Sequence, residues 1–87
     1  MTQAVKQQIK DYIMAEFLPG ESPDELTDTT PLISGGILDS IATLKLVMFI
    51  EETWSVAFAP HEVDKENLDT LTSIMRLLGQ KKPELTR

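Results

Sequence analysis

Residues 35–54 read GGILDSIATLKLVMFIEETW, and this segment organises the rest of the chain. Its two glycines let the backbone turn sharply. Asp39 or Ser40 can then cap a helix by accepting a hydrogen bond from an N–H group of the first turn. Apolar side chains follow at helical spacing. The segment therefore predicts a helix over residues 39–54.

The predicted helix has two apolar arcs at about 100° per residue. One arc is a candidate core face, made of Thr43, Leu46, Val47, Ile50 and Trp54. The second arc holds Ile41, Leu44 and Met48, on the same side as Glu51. A helix that is apolar on more than one face is either wholly buried or offers a surface to a partner. The pattern alone leaves both roles open for the second arc.

The chain before this segment predicts one helix and one long loop. Apolar residues recur every three or four positions over Thr2–Phe17, and Pro19-Gly20 ends that helix. Residues 21–38 are rich in Ser, Pro, Asp, Thr and Gly, which disfavours regular structure. We still expect an ordered loop, because its apolar side chains can pin it to the core: Leu26, Leu32, Ile33, Ile37 and Leu38.

The chain after this segment predicts a short helix, a main helix and a tail. Residues 60–67 can form a turn or two of helix that begins with proline. Asp69 or Thr70 can cap the last helix, which we expect Gly79 to end. Residues 81–87 are expected to form a flexible C-terminal tail. Since no strand alternation occurs, the fold class is all-α, with three main helices and one short helix.

Length and charge limit the functions open to the chain. The chain of 87 residues is long enough for one domain, which we assign to residues 1–80. A domain of this size has little room for a deep catalytic cleft. The net charge of −6 would repel a nucleic-acid backbone or an anionic membrane. No cysteine is present, which fits a reducing compartment, and no apolar run approaches ~18 residues. We expect a cytoplasmic monomer without nucleic-acid binding or membrane insertion.

Ser40 places a hydroxyl where an anion would be stabilised. A phosphodiester on this oxygen would lie near unpaired N–H groups and the positive end of the helix dipole. The same serine could serve only as an N-cap, a role worth ~1 kcal/mol. Position alone favours the cap.

Residues 36–54 resemble the signature region of the acyl and peptidyl carrier protein family. The family signature is Asp-Ser followed by an aliphatic residue at the head of the second helix, and Asp39-Ser40-Ile41 match it here. Residues 26–32 look like the family's loop, and residues 67–71, followed by Ile74, look like the start of its last helix. The tripeptide is weakly specific, whereas this framework, which covers nearly the whole chain, is strongly specific.

The resemblance implies a four-helix acyl-carrier-like bundle in which Ser40 carries 4′-phosphopantetheine, added from coenzyme A by a phosphopantetheinyl transferase. The arm would supply the thiol that the chain lacks and hold an acyl or aminoacyl group as a thioester. An acyl or aminoacyl ligase would load it, and Asp39 would assist the transferase. The docking surface for these and downstream enzymes would comprise the second arc and its neighbouring carboxylate: Ile41, Leu44, Met48 and Glu51.

The chain departs from the fatty-acid type of carrier in its charges. That type has acidic residues just after the signature and one turn later, where this chain has Ala42 and Lys45. The negative patch is reduced to Glu51 and Glu52, which disfavours docking to strongly basic enzyme faces. The sequence looks more like stand-alone aminoacyl, D-alanyl or pathway-specific carriers. We expect Phe49, which replaces a small residue, to pack against the short helix; a partner or dimer contact is the alternative.

A second hypothesis belongs to another class of protein. The chain could be an interaction module that keeps the carrier fold without the prosthetic group and binds a partner through the second arc. The loss of acids at Ala42 and Lys45 motivates it.

Catalytic and metal sites are not indicated by the sequence. His61 is the only histidine, and a lone histidine among surface carboxylates is usually solvated. A hydrolytic triad of Ser40, His61 and Asp39 lacks the nucleophile-elbow pattern. We therefore predict a carrier, not an enzyme, with no catalytic residue and no metal ligand.

Overall fold

Four α-helices form the body of the protein in a computed structural model, which describes residues 2–86. The helices span Thr2–Phe17 (α1), Ser40–Trp54 (α2), Lys65–Leu68 (α3) and Leu71–Lys81 (α4). Short 3₁₀ turns lie at Pro23–Glu25, Pro60–Glu62 and Pro83–Thr86. Residues 2–86 contain no strand, and none of their helices is long and apolar enough to cross a membrane. The predicted all-α bundle of three main helices and one short helix is confirmed.

One apolar core holds the helices together. α1 packs against α2 and α4, and α3 packs against α4. Removal of apolar surface from water is the main force that favours this arrangement. The largest fully buried side chains come from all four helices and the long loop: Ile9, Ile13, Leu26, Leu32, Leu38, Leu46, Ile50, Leu68, Leu71, Ile74 and Leu78.

The long loop between α1 and α2 is ordered by the side chains that were expected to pin it. Three of these leucines are buried and two isoleucines are partly buried in the core: Leu26, Leu32, Leu38, Ile33 and Ile37. The Leu38 N–H donates to the Leu32 carbonyl at 2.8 Å, and the Leu32 N–H donates to the Asp69 carbonyl at 2.6 Å. The loop is thereby closed on itself and attached to the α3–α4 junction.

Two glycines bring the chain into α2, as the sequence indicated. Gly36 has φ +84°, a left-handed conformation that side chains rarely adopt. Gly35 lies so close to the Pro31 carbonyl oxygen that a Cβ atom would overlap it. A larger residue at either position would therefore displace the chain just before Ser40.

The end of α4 differs from the prediction. Gly79 does not end the helix, which continues to Lys81, because Gly79 does not adopt a positive φ. The helix stops at Lys82, which precedes Pro83 and has φ −146° and ψ 80°. The residue before a proline is biased away from helical geometry. Pro83, and not Gly79, is therefore the local signal that ends α4.

The segment that was expected to form a flexible tail makes contacts with the bundle. Residues 83–86 form a 3₁₀ turn, and Leu85 packs half-buried against the core. The Lys82 ammonium donates to the Trp54 carbonyl at 2.6 Å. α4 ends at Lys81, one residue after the expected domain boundary at residue 80. Arg87 lies outside the described residues.

Phe49 packs as expected, but against a different helix. Its ring stacks on Tyr12 of α1, with centroids 4.1 Å apart and planes 10° apart. It also meets Trp54 edge to face at 5.9 Å. The prediction that Phe49 packs against the short helix is wrong, because its side chain leaves α2 on the side that faces α1.

Candidate functional site

Ser40 is the first residue of α2, and its hydroxyl is not used to hold the helix. Asp39 is the N-cap: its backbone is extended and its Oδ1 accepts a hydrogen bond from the Ala42 N–H at 2.7 Å. The Thr43 hydroxyl donates to the Asp39 carbonyl at 2.8 Å and reinforces the turn. Ser40 is exposed, and its hydroxyl forms no hydrogen bond within residues 2–86. The cap role that competed with attachment at Ser40 thus belongs to Asp39.

The start of α2 also offers free hydrogen-bond donors. The first N–H groups of a helix have no intrahelical acceptor. Asp39 accepts from the Ala42 N–H through its side chain and from the Thr43 N–H through its carbonyl. The N–H groups of Ser40 and Ile41 have no acceptor within the described residues. An anion on the Ser40 oxygen would lie beside these donors and the positive end of the helix.

A cavity of about 530 Å³ opens beside Ser40, between the long loop, α2 and the start of α3. Apolar side chains form much of its wall, and charged groups stand at its exposed positions. Its lining comprises Ile33, Leu38, Asp39, Ser40, Thr43, Leu44, Val63, Asp64 and Lys65. A flexible group on the Ser40 oxygen would have room to lie against the protein in this cavity.

The second apolar arc of α2 is exposed. We call Ile41, Leu44 and Met48 the apolar stripe; their exposed fractions are 67%, 55% and 56%. The opposite face is buried or half-buried, as predicted, through Thr43, Leu46, Val47, Ile50 and Trp54. The stripe therefore does not belong to the core. Exposed apolar side chains grouped on one face are a common mark of an interaction surface.

Glu51 differs from the stripe with which it was grouped. It is half-buried, and its Oε2 accepts a hydrogen bond from the Phe58 N–H at 2.9 Å. This bond ties the chain after α2 back to the helix. Glu52 is exposed and makes no ion pair within residues 2–86. Glu51 therefore has a structural contact that the sequence pattern did not predict.

Asp69 is a positioning residue that the sequence suggested only as a possible cap. Thr70 caps α4 instead, accepting from the Ser73 N–H at 3.1 Å. The Asp69 Oδ1 accepts from the N–H groups of Ser34 and Ile33, both at 2.8 Å, and its Oδ2 accepts from the Ser34 hydroxyl at 2.8 Å. The bonds from Ser34, and then that from Ile33, lower the pKa of the Asp69 carboxyl. No local sequence signal links residues that are 35 positions apart.

The other sequence candidates do not join the site. His61 is exposed and does not line the cavity beside Ser40. Across the described part of the chain, no group of three His, Asp or Glu side chains is placed to hold a metal ion. Of the predicted site residues, Asp39, Ser40 and Ile41 thus lie together at the head of α2.

Comparison with known proteins identifies three relatives. The chain is 33% identical over 72 residues to the probable acyl carrier protein PigG of a Serratia species, covering 83% of this chain and 82% of that protein. It is 30% identical over 80 residues to the D-alanyl carrier protein of Lactococcus lactis, covering 92% and 99%. It is 37% identical over 62 residues to the lincomycin biosynthesis protein LmbN of Streptomyces lincolnensis, covering 71% of this chain but 22% of that protein. No protein-family profile matches the chain.

Proposed function

Because this chain belongs to the acyl and peptidyl carrier protein family, we propose that Ser40 carries 4′-phosphopantetheine and that the chain is a carrier, not an enzyme. One observation carries the proposal: the Ser40 hydroxyl is exposed and unbonded within residues 2–86, while Asp39 caps the helix. A phosphodiester there keeps the cap and gains the two free N–H groups. The bound arm supplies a thiol, which holds an acyl or aminoacyl group as a thioester.

Attachment transfers phosphopantetheine from coenzyme A to an accessible oxygen. The Ser40 Oγ attacks the coenzyme A phosphorus that bears the pantetheine. A new P–O bond forms, the pyrophosphate P–O bond breaks, and adenosine 3′,5′-bisphosphate leaves. The hydroxyl proton passes to the phosphopantetheinyl transferase. Asp39 uses Oδ1 for the cap, and its other carboxylate oxygen is available to the metal ion of the transferase.

The surroundings of Ser40 suit such an arm. The cavity of about 530 Å³ is lined by apolar side chains such as Leu38 and Val63, next to Ser40 itself. The arm can rest there between encounters, since its methyl groups gain from apolar contact. The apolar stripe begins at the adjacent residue, Ile41, so an enzyme that docks on it lies close to the cargo.

We place the carrier in a dedicated biosynthetic pathway of the cytoplasm, where an acyl or aminoacyl ligase loads it and downstream enzymes use the cargo. Two relatives bear names from dedicated processes, D-alanyl carriage and lincomycin biosynthesis. The charges support the same proposal. Ala42 is buried and Lys45 is exposed where the fatty-acid type carries acids, so strongly basic docking faces are poorly matched.

The test is phosphopantetheinylation in vitro. The unmodified protein is incubated with coenzyme A, Mg²⁺ and a broad-specificity transferase, and its intact mass is measured over time. We expect a gain of one phosphopantetheine, no gain for Ser40→Ala, and a normal gain for Ser22→Ala, another exposed serine. Asp39→Asn keeps a capping oxygen but loses the charge, and should fold normally and be modified more slowly. Equal modification of Ser40→Ala would contradict attachment at this residue.

An interaction module without the arm is the second candidate. The exposure of the apolar stripe favours it, because a docking surface on α2 does not itself require a prosthetic group. The intact mass of the protein purified from its own cell distinguishes the two candidate functions. A carrier has the intact mass of the modified chain, whereas an interaction module keeps the mass of the unmodified chain.

A further inference from the structure

A row of half-buried aromatic rings follows the seam between α1 and α2. Tyr12 stacks on Phe49 at 4.1 Å and meets Phe17 edge to face at 5.8 Å. Phe49 in turn meets Trp54 edge to face at 5.9 Å. We call these four residues the aromatic row. All four are partly exposed, so the row presents aromatic surface to solvent along the seam.

A groove joins the aromatic row to the apolar stripe. Its volume is about 270 Å³, and its lining comprises Tyr12, Lys45, Met48, Phe49 and Glu52. Met48, which is 56% exposed, belongs to both the groove and the stripe. Aromatic and methionine side chains are enriched in protein interfaces, and methionine adapts to different partners. The apolar surface therefore extends from α2 across the seam to α1.

Two charges of opposite sign mark the ends of this groove. Lys45 is exposed, and its ammonium makes no ion pair within residues 2–86. Glu52 follows seven positions later, roughly 10 Å further along the helix axis. The Tyr12 hydroxyl donates to the Lys45 carbonyl at 3.4 Å. Burial, then the charges of Glu16 and Glu52, raise the pKa of the Tyr12 hydroxyl.

The positive charge of Lys45 favours a negatively charged group on a partner surface that covers the groove. A uniformly basic surface would bring a cation against its ammonium, whereas an acidic side chain would pair with it. The net charge of −6 would disfavour an acidic partner at long range. Salt screens such long-range repulsion over a Debye length of about 8 Å, while a contact between adjacent charges is screened less. The local charge therefore decides the fit at contact.

We propose that the stripe and the groove together dock an enzyme of the carrier's own pathway, whose docking face places an acidic side chain against Lys45 and apolar side chains against Met48 and the aromatic row. The proposal rests on the proposed function, because the enzyme acts on a group held at Ser40. A second copy of the chain is a poorer occupant. It would cover the surface beside Ser40 from which the arm must reach other enzymes.

Photo-crosslinking locates the partner. A photoreactive amino acid replaces Leu44 in the stripe, Glu52 at the groove, or Arg76 on the exposed side of α4 as a control, in the cell that makes the protein. We expect the first two positions to capture the same enzyme, through a peptide that carries Asp or Glu, and the control not to capture it. Capture from the stripe alone, or capture of a second copy, overturns the proposal.

Charge-reversal variants then test the role of Lys45. Binding is measured between the purified enzyme and the carrier modified at Ser40. We expect Lys45→Glu to weaken binding by roughly tenfold, and Arg76→Glu, which changes the net charge equally, to change it by less than about twofold. Exchanging the captured acid of the enzyme for lysine should restore binding of Lys45→Glu. Added salt should strengthen the Lys45→Glu complex, because it screens the repulsion between the two carboxylates.

The outcomes separate this proposal from the proposed function. Binding of Lys45→Glu that equals or exceeds that of the wild type overturns the acidic partner, even when Ser40 is normally modified. Failure of Ser40 modification, measured by intact mass, overturns the proposed function instead. Thermal unfolding of each variant verifies that it is folded, which is expected because Lys45 and Arg76 are exposed.

Discussion

Two aspartates position the candidate site, and they act on different sides of Ser40. Asp39 accepts from the first turn of α2 and leaves the serine hydroxyl unbonded. Asp69 holds Ser34 and Ile33, which belong to the loop that leads into α2. Ile33 also lines the cavity beside Ser40. The position of the serine thus depends on one local contact and one that spans the chain.

We expect Asp69 to make stability depend on acid pH. Folding lowers the pKa of its carboxyl, so the charged carboxylate stabilises the fold above the unfolded pKa, and this stability is lost as the pH falls through the folded pKa. Asp69→Asn should therefore lose less stability than the wild type between about pH 6 and pH 3. Asp69→Ala should lower the free energy of unfolding at neutral pH by about 1–2 kcal/mol, because two backbone N–H groups lose their acceptor.

Urea unfolding at several pH values measures these effects. Asp24→Asn is the matched control, because Asp24 is exposed and its carboxylate accepts no hydrogen bond within the described residues. Glu62, whose pKa is lowered by its hydrogen bond to Lys81, is present in every variant and contributes equally. Parallel pH profiles for the wild type and Asp69→Asn would exclude the role given to Asp69.

α2 combines a role in folding with the proposed function, since its two sides face different surroundings. Leu46 is fully buried in the core, whereas Leu44, two residues earlier, is 55% exposed. The two side chains are chemically identical, so their difference in environment comes from their direction on the helix. One side holds the bundle together and the other remains available to a partner.

Replacing each leucine with alanine should separate these two roles. We expect Leu46→Ala to lower the free energy of unfolding by about 2–5 kcal/mol, because it leaves a cavity in the core. Leu44→Ala should change it by less than about 0.5 kcal/mol, yet it should slow phosphopantetheinylation by removing part of the docking surface. Denaturant unfolding and the modification rate measure the two effects. A similar loss of stability for both variants would contradict the assignment of the two faces.

The last residue of α4 and the segment that follows it connect several parts of the bundle. The Lys81 ammonium pairs with Glu62 at 2.6 Å and lies 5.6 Å from the centre of the Phe58 ring. Lys82 reaches the carbonyl of Trp54 at the end of α2. The 3₁₀ turn that contains Leu85 contacts both α1 and α4. The C-terminal residues thus connect elements that are distant in sequence.

Removing residues 82–87 should therefore destabilise the protein. We expect a loss of about 1–3 kcal/mol in the free energy of unfolding, from the burial of Leu85 and the hydrogen bond of Lys82. Leu85→Ala should reproduce about half of this loss, while Glu84→Ala, at an exposed position, should have little effect. Thermal and denaturant unfolding provide the measurement. Unchanged stability of the shortened chain would support the flexible tail that the sequence suggested.

Local pattern was sufficient for the bounds of α1, the start of α2 and the choice of Ser40 as the candidate attachment residue. The spacing of apolar side chains predicted Thr2–Phe17 at its observed bounds, and α2 begins one residue after the predicted start. An α-helix has 3.6 residues per turn, so the residues of its buried face lie only three or four positions apart in the sequence. Asp39-Ser40-Ile41 is likewise contiguous, and its place at the head of α2 follows from the same local rules.

Contacts between distant segments required the folded chain. The pattern grouped Ile41, Leu44 and Met48 on one side of α2, but only the packing of the other helices left that side exposed. Phe49 packs against Tyr12 of α1, and Asp69 accepts a hydrogen bond from Ser34, which lies 35 positions earlier in the sequence. Periodicity tells which residues share a face but not which segment lies opposite it. The sequence thus determined where the main helices form and which serine heads α2, whereas tertiary packing determined which apolar side chains stay exposed and what supports the loop.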